Sequence, residues 1–122
     1  MNKVKKGRKQ IIKKRSNHDI EGKYIAYGST PREAYQKVRE KIYIKSGRRG
    51  YISDEEFKGK YGNDISKQFF SKYGGSFDLT FHIDGNPNIY VIKGSITEKG
   101  KRWVAKADVL SGKSLLFDKV RV

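Results

Sequence analysis

The chain has no cysteine among its 122 residues. Disulfides, thiolate metal sites and cysteine nucleophiles are therefore excluded, and a reducing cytoplasm is a compatible location. Only two histidines occur, His18 and His82. There is no HxxxH pattern, and carboxylates are scattered rather than set at ligand spacing, so no metal and no cofactor is expected. Proline occurs twice, and both residues stand at punctuation: Pro31 at a helix start, Pro87 in a turn. No apolar run approaches the roughly 18 residues that a membrane span needs. The N-terminus is positive but lacks a following apolar stretch, so it does not read as a secretory signal, and its lysine bias does not suit a mitochondrial transit peptide. Hydrophobic residues reach only 35%, below the usual globular range.

Basic charge is abundant. Lys3, Lys5, Lys6, Arg8, Lys9, Lys13, Lys14 and Arg15 crowd the first 15 residues without one acid. Such a block repels itself and cannot form a core, so residues 1–17 are expected to be a disordered arm. The whole chain carries a formal net charge of +15. Neutralising phosphates and releasing their counterions is the commonest use of such a surplus. Aromatics are also plentiful, with eight Tyr, six Phe and one Trp, which argues for a folded domain over residues 18–122.

Periodicity sets the expected elements. Lys23 to Tyr27 reads as a strand closed by Gly28. Thr30, Pro31 and Glu33 form a helix start with a capping box. Ala34, Tyr35, Val38 and Ile42 then mark the buried face of a helix over 31–44. Ser46 to Gly50 breaks the pattern. Ser53-Asp54-Glu55-Glu56 before Phe57 predicts a second, short helix. A third would start at Asn63 or Asp64, bury Ile65, Phe69 and Tyr73, and stop at Gly74-Gly75.

Beyond Ser76 the period changes to two. Phe77, Leu79, Phe81 and Ile83 line one face of a strand. Asp84 to Asn88 turns the chain, and 89–97 is a second strand with Tyr90, Ile92 and Ile96 inward. Glu98 to Lys101 is a hairpin signal. Trp103, Ala105, Ala107 and Val109 mark the inner face of a third strand, with Val104, Lys106 and Asp108 outward. Ser111 to Lys113 turns again, and Leu115 to Val122 would be the last strand. The expected fold class is α+β: two or three N-terminal helices packed on a curved C-terminal antiparallel β-meander, behind the disordered basic arm.

Candidate sites follow from the charge. The arm can track phosphates, or serve only as a solubilising tail. In Lys45-Ser46-Gly47-Arg48-Arg49-Gly50-Tyr51, Arg48 and Arg49 can fork onto phosphates and Tyr51 can stack on an unpaired base. The bland alternative is a solvated turn. The stretch lacks the spacing of a nucleotide-hydrolysing P-loop. Lys99, Lys101 and Arg102 beside Trp103 can enter a groove, or Trp103 can simply belong to the core. The run GSITEKGKRWVAKADV resembles the first strands of the arm-binding domain of tyrosine recombinases, through a basic turn followed by Trp103 and small alternating residues. No helix follows the last strand, where that domain has one. His82, near Asp78, Thr80 and Asp84, suits a general base or a plain strand position.

These observations lead to a small, non-enzymatic, nucleic-acid-binding protein, with DNA and RNA undistinguished. Its size and lysine-rich composition suit a phage or mobile-element accessory factor. Two alternatives stay open. One is an inhibitor or adaptor that binds a nucleic-acid-processing protein or ribonucleoprotein. The other is a metal-independent ribonuclease or toxin built on His82. Oligomeric state is not legible.

Overall fold

The computed structural model describes residues 19–112. The basic arm with its eight cations, His18, and the strand expected over 115–122 lie outside the described residues. Among the described residues seven elements follow one another: β1 (Gly22–Gly28), α1 (Pro31–Lys45), β2 (Gly50–Lys58), α2 (Lys67–Tyr73), β3 (Gly75–Ile83), β4 (Asn86–Lys99) and β5 (Arg102–Ser111). The five strands form one antiparallel sheet in the order β1-β5-β4-β3-β2. Strands β2 to β5 are a meander, and β1 closes against β5. The α+β class holds, but the helices are not N-terminal to the sheet: β1 precedes α1, and β2 separates α1 from α2.

The first helix forms where the sequence places it. Thr30 is the N-cap, its Oγ1 accepting from the Glu33 N–H at 3.0 Å, and Pro31 occupies the first turn. The Glu33 carboxylate reaches back one residue further than a standard capping box, accepting from the Ser29 N–H at 2.6 Å and the Ser29 hydroxyl at 2.8 Å. These contacts, with Lys37 on the next turn, hold its carboxyl below the usual range. Pro31, Ala34, Tyr35, Val38 and Ile42 are buried. The helix lies over β1, β5 and β4, from one sheet edge to the central strand. Lys41 Nζ donates to the Ile25 carbonyl at 2.6 Å, tying the helix to β1.

The stretch expected as a second helix is instead strand β2. It pairs with β3 from Gly50 opposite Ile83 to Lys58 opposite Ser76. The reason is a β-bulge. Ile52 faces Phe81 and Phe57 faces Phe77, both toward the core, although five positions separate them. The register shift between Ile52 and Asp54 absorbs the extra residue at Ser53. That insertion breaks the period of two and hides the strand from a pattern search. The acids then serve no helix start. Glu55 sits on the core side, accepting from Arg39 at 3.1 Å, Tyr35 at 3.2 Å and Lys67 at 3.2 Å. Burial pushes the Tyr35 hydroxyl far above its ordinary value.

Helix α2 starts later than expected and turns a different face inward. Its N-cap is Ser66, accepting from the Phe69 N–H at 3.0 Å. Asn63 and Asp64 stay in the preceding loop, which folds back on β2: the Ile65 N–H donates to the Phe57 carbonyl at 3.1 Å, and Lys58 pairs with Asp64 at 2.9 Å. Phe70 is the buried ring, while Phe69 and Tyr73 are exposed. Phe70 completes an aromatic cluster with Tyr35, Phe57 and Phe77, at centroid distances of 5.2, 4.6 and 5.9 Å.

The meander follows the expected alternation. Phe77, Leu79, Phe81, Ile83, Tyr90, Ile92, Ile96, Ala105, Ala107 and Val109 are all buried. Gly94 lies opposite Phe77, and a Cβ there would sit 2.2 Å from the Phe77 ring, so the strand needs glycine for the ring to cross it. Val104, expected outward, is nonetheless buried at the outer face, in register with Tyr27 of β1.

Candidate nucleic-acid interface

Most of the charge surplus belongs to the flanks. Residues 19–112 hold 17 Lys and Arg against 12 Asp and Glu. The folded domain is thus only mildly basic, and the position of its cations matters more than their number.

Arg48 and Arg49 lie in the turn after α1. The Ser46 N–H donates to the Ile42 carbonyl at 3.0 Å, and the Arg48 N–H to that of Tyr43 at 3.0 Å, so the helix end is closed by the backbone. Arg48 pays for this with a φ of 62°, a left-handed conformation uncommon outside glycine. The Arg49 carbonyl accepts the Asp84 N–H at 2.9 Å, which fixes the loop to the β3–β4 turn. Both arginines are exposed. Tyr51 is also exposed, but its ring already stacks on His82 at 5.0 Å and 18°.

His82 does point to the outer face, as the alternation requires. Its Nε2 lies 2.7 Å from Ser53 Oγ. Asp78 and Asp84 are not its partners among the described residues: Asp78 faces Lys93, and the Asp84 backbone meets Arg49. Among the described residues no group of three or more metal-ligating side chains occurs.

Lys99, Lys101 and Arg102 sit at the β4–β5 hairpin, where Lys99 pairs with Arg102 across the turn. All three are exposed. The Arg102 guanidinium covers the Tyr27 ring at 4.5 Å. Trp103 is half-buried and packs against the core, as the bland reading has it. This hairpin and the Arg48–Arg49 loop are at opposite ends of the sheet. The 14 residues of β4 separate them, roughly 40 Å at 3.3 Å per residue. They cannot grip one phosphate together. Residue 19, to which the arm is joined, is at the Arg48–Arg49 end, where Glu21 accepts the Ser111 N–H at 2.6 Å.

A groove of about 440 Å³ opens between α1 and β2, lined by Arg39, Tyr43, Tyr51, Ile52 and Phe81 among others. Its one arginine is already committed, paired with Glu55 and standing over the Tyr35 ring at 5.2 Å. The groove is therefore a poor phosphate site.

A second feature was not legible as a site. Tyr61, Phe69 and Tyr73 are 88%, 49% and 57% exposed. Lys60 stands over Tyr61 and Lys72 over Tyr73, each at 5.8 Å. Spacing alone assigned Phe69 and Tyr73 to the core; the adjacent Phe70 was the competing signal. Gly74, with φ of 79°, closes α2 directly on Trp103, where a Cβ would come 2.9 Å from the indole. This contact sets α2 at the hairpin end of the sheet. No protein-family model, curated protein or solved structure matches this chain.

Proposed function

We propose that the protein binds nucleic acid through the phosphate backbone, as a binding module rather than an enzyme. The carrying observation is the basic surplus, with eight cations and no acid in the first 15 residues. The folded domain adds exposed cations free of local neutralisation. Among the described residues, Arg48, Arg49, Lys99 and Lys101 take part in no ion pair, whereas Lys23, Lys37, Lys58, Lys67 and Lys93 are each matched to a carboxylate. The arm joins the domain at the Arg48–Arg49 end, so these two groups would track one stretch of backbone. Such contacts carry affinity without sequence information.

Fluorescence anisotropy of a labelled 20-mer, titrated at several salt concentrations, tests this. Arg48→Ala with Arg49→Ala should lower the slope of log affinity against log salt by about 1.8 for duplex DNA. Replacing the eight arm cations with glutamine should lower it by up to about 7. Unchanged slopes in both variants would refute the proposal. Capture of a specific protein, with no binding to free oligonucleotide, would favour an inhibitor or adaptor that uses the same cations.

A further inference from the structure

We infer that the α2 end of the sheet is a stacking platform for unpaired bases, and that the protein therefore prefers single-stranded over duplex nucleic acid. This rests on the backbone-binding reading above and adds the form of the ligand. Helix α2 buries Phe70 in the core, and Phe70 is its one buried residue. The flank beside it carries Phe69 and Tyr73, four residues apart, with rings 4.6 Å from one another and about half exposed. Tyr61, in the loop before the helix, is almost fully exposed. Burial does not account for these three rings.

Their surroundings are cationic. Between Phe57 and Phe77 the chain has four lysines and one acid, Asp64. Asp64 is paired with Lys58, and Lys67 with Glu55. Lys60 and Lys72 are left beside Tyr61 and Tyr73. The hairpin cations Lys99, Lys101 and Arg102 belong to the same end, because Gly74 seats α2 on Trp103. Rings with lysines beside them offer partners for both parts of a single strand, its bases and its phosphates. Duplex bases are already stacked and present only their edges, so exposed rings gain nothing from them. Every unpaired base offers a face, and stacking one is worth roughly 5- to 150-fold in affinity.

The test uses the full chain, a labelled 15-mer single strand, and the same strand annealed to its complement. Wild type should bind the single strand more tightly at equal salt. Phe69→Ala with Tyr73→Ala should weaken single-strand binding by at least about 30-fold. Duplex affinity should move less than about twofold, and the single-strand salt slope should stay the same, since no charge is lost. The swap Phe69→Tyr with Tyr73→Phe keeps both rings and should keep binding. Lys60→Gln with Lys72→Gln should instead lower the single-strand slope. Equal binding of both forms by wild type, or no loss in the alanine variant, overturns this inference while leaving the backbone reading intact. An alanine variant that changes only sedimentation would make the rings a protein contact and overturn it as well. Absence of any nucleic-acid binding by wild type would remove both.

Discussion

Phe69 and Phe70 are neighbours in sequence, and replacing each with alanine should give opposite results. Phe70 has no exposed surface and packs edge-on against Tyr35 and Phe77 and tilted against Phe57. Removing its ring loses about 2–3 kcal/mol of transfer free energy. The cavity and the lost ring contacts raise the total to about 3–5 kcal/mol. That is a large share of the roughly 5–15 kcal/mol available to a domain of this kind. Phe69 is half exposed, roughly 100° round the same helix from Phe70, and its alanine variant should lose less than about 1 kcal/mol. Urea unfolding followed by tryptophan fluorescence is a suitable assay. The single Trp103 lies against Gly74 at the end of α2 and reports on this packing. The midpoint should fall steeply for Phe70→Ala, with an unchanged m-value, and barely move for Phe69→Ala. Equal losses, or a larger loss for Phe69→Ala, would mean that α2 is rotated to bury the Ile65, Phe69 and Tyr73 stripe. The stacking platform would fall with it.

Phe81→Asp should cost several kcal/mol, roughly, because the carboxylate would be buried beside Ile52 and Tyr90 without a partner; a soluble variant with an unchanged melting temperature would refute the register. Arg48→Gly should raise stability by about 0.5–1 kcal/mol, since it relieves the left-handed φ of 62°, and a thermal melt decides it. Glu33→Gln should flatten the acid limb of the stability curve. The Glu33 carboxyl is held low by the Ser29 N–H, the Ser29 hydroxyl and Lys37, so its stabilisation is present above the ordinary glutamate value and lost as pH falls through the lowered one. Equal pH dependence of wild type and variant in denaturant titrations would contradict that linkage.

The sequence was informative where a single period ran unbroken. Helix α1 carries its cap, its proline and a clean 3.6-residue stripe, and all of them act as read. Strands β3, β4 and β5 alternate through two-residue turns, so their partners are local and their faces unambiguous. Strand β2 is hidden because the bulge at Ser53 puts one extra residue between Ile52 and Phe57. There, a Ser-Asp-Glu-Glu run that fits a capping box is more visible than the strand. Helix α2 is ambiguous because Phe69 and Phe70 offer two overlapping stripes, and only the pocket among Tyr35, Phe57 and Phe77 chooses between them. The basic loops were found by composition, yet their placement at opposite ends of the sheet depends on strand order, which no local pattern encodes.

The pairing of β1 with β5 sets an order of assembly. Gly22 meets Val109 and Gly28 meets Trp103, whereas β4 and β5 meet across two residues. Closing a loop of about 80 residues costs about 3 kcal/mol more chain entropy than closing one of about three. The meander should therefore condense first, with β1 docking onto a surface that already exists. Destabilising changes in β1 should accelerate unfolding and leave the folding rate nearly untouched, while changes at the β4–β5 hairpin should slow folding itself. A strand that arrives last also leaves first, and β5 then becomes an open edge, free to recruit the first strand of a neighbouring molecule.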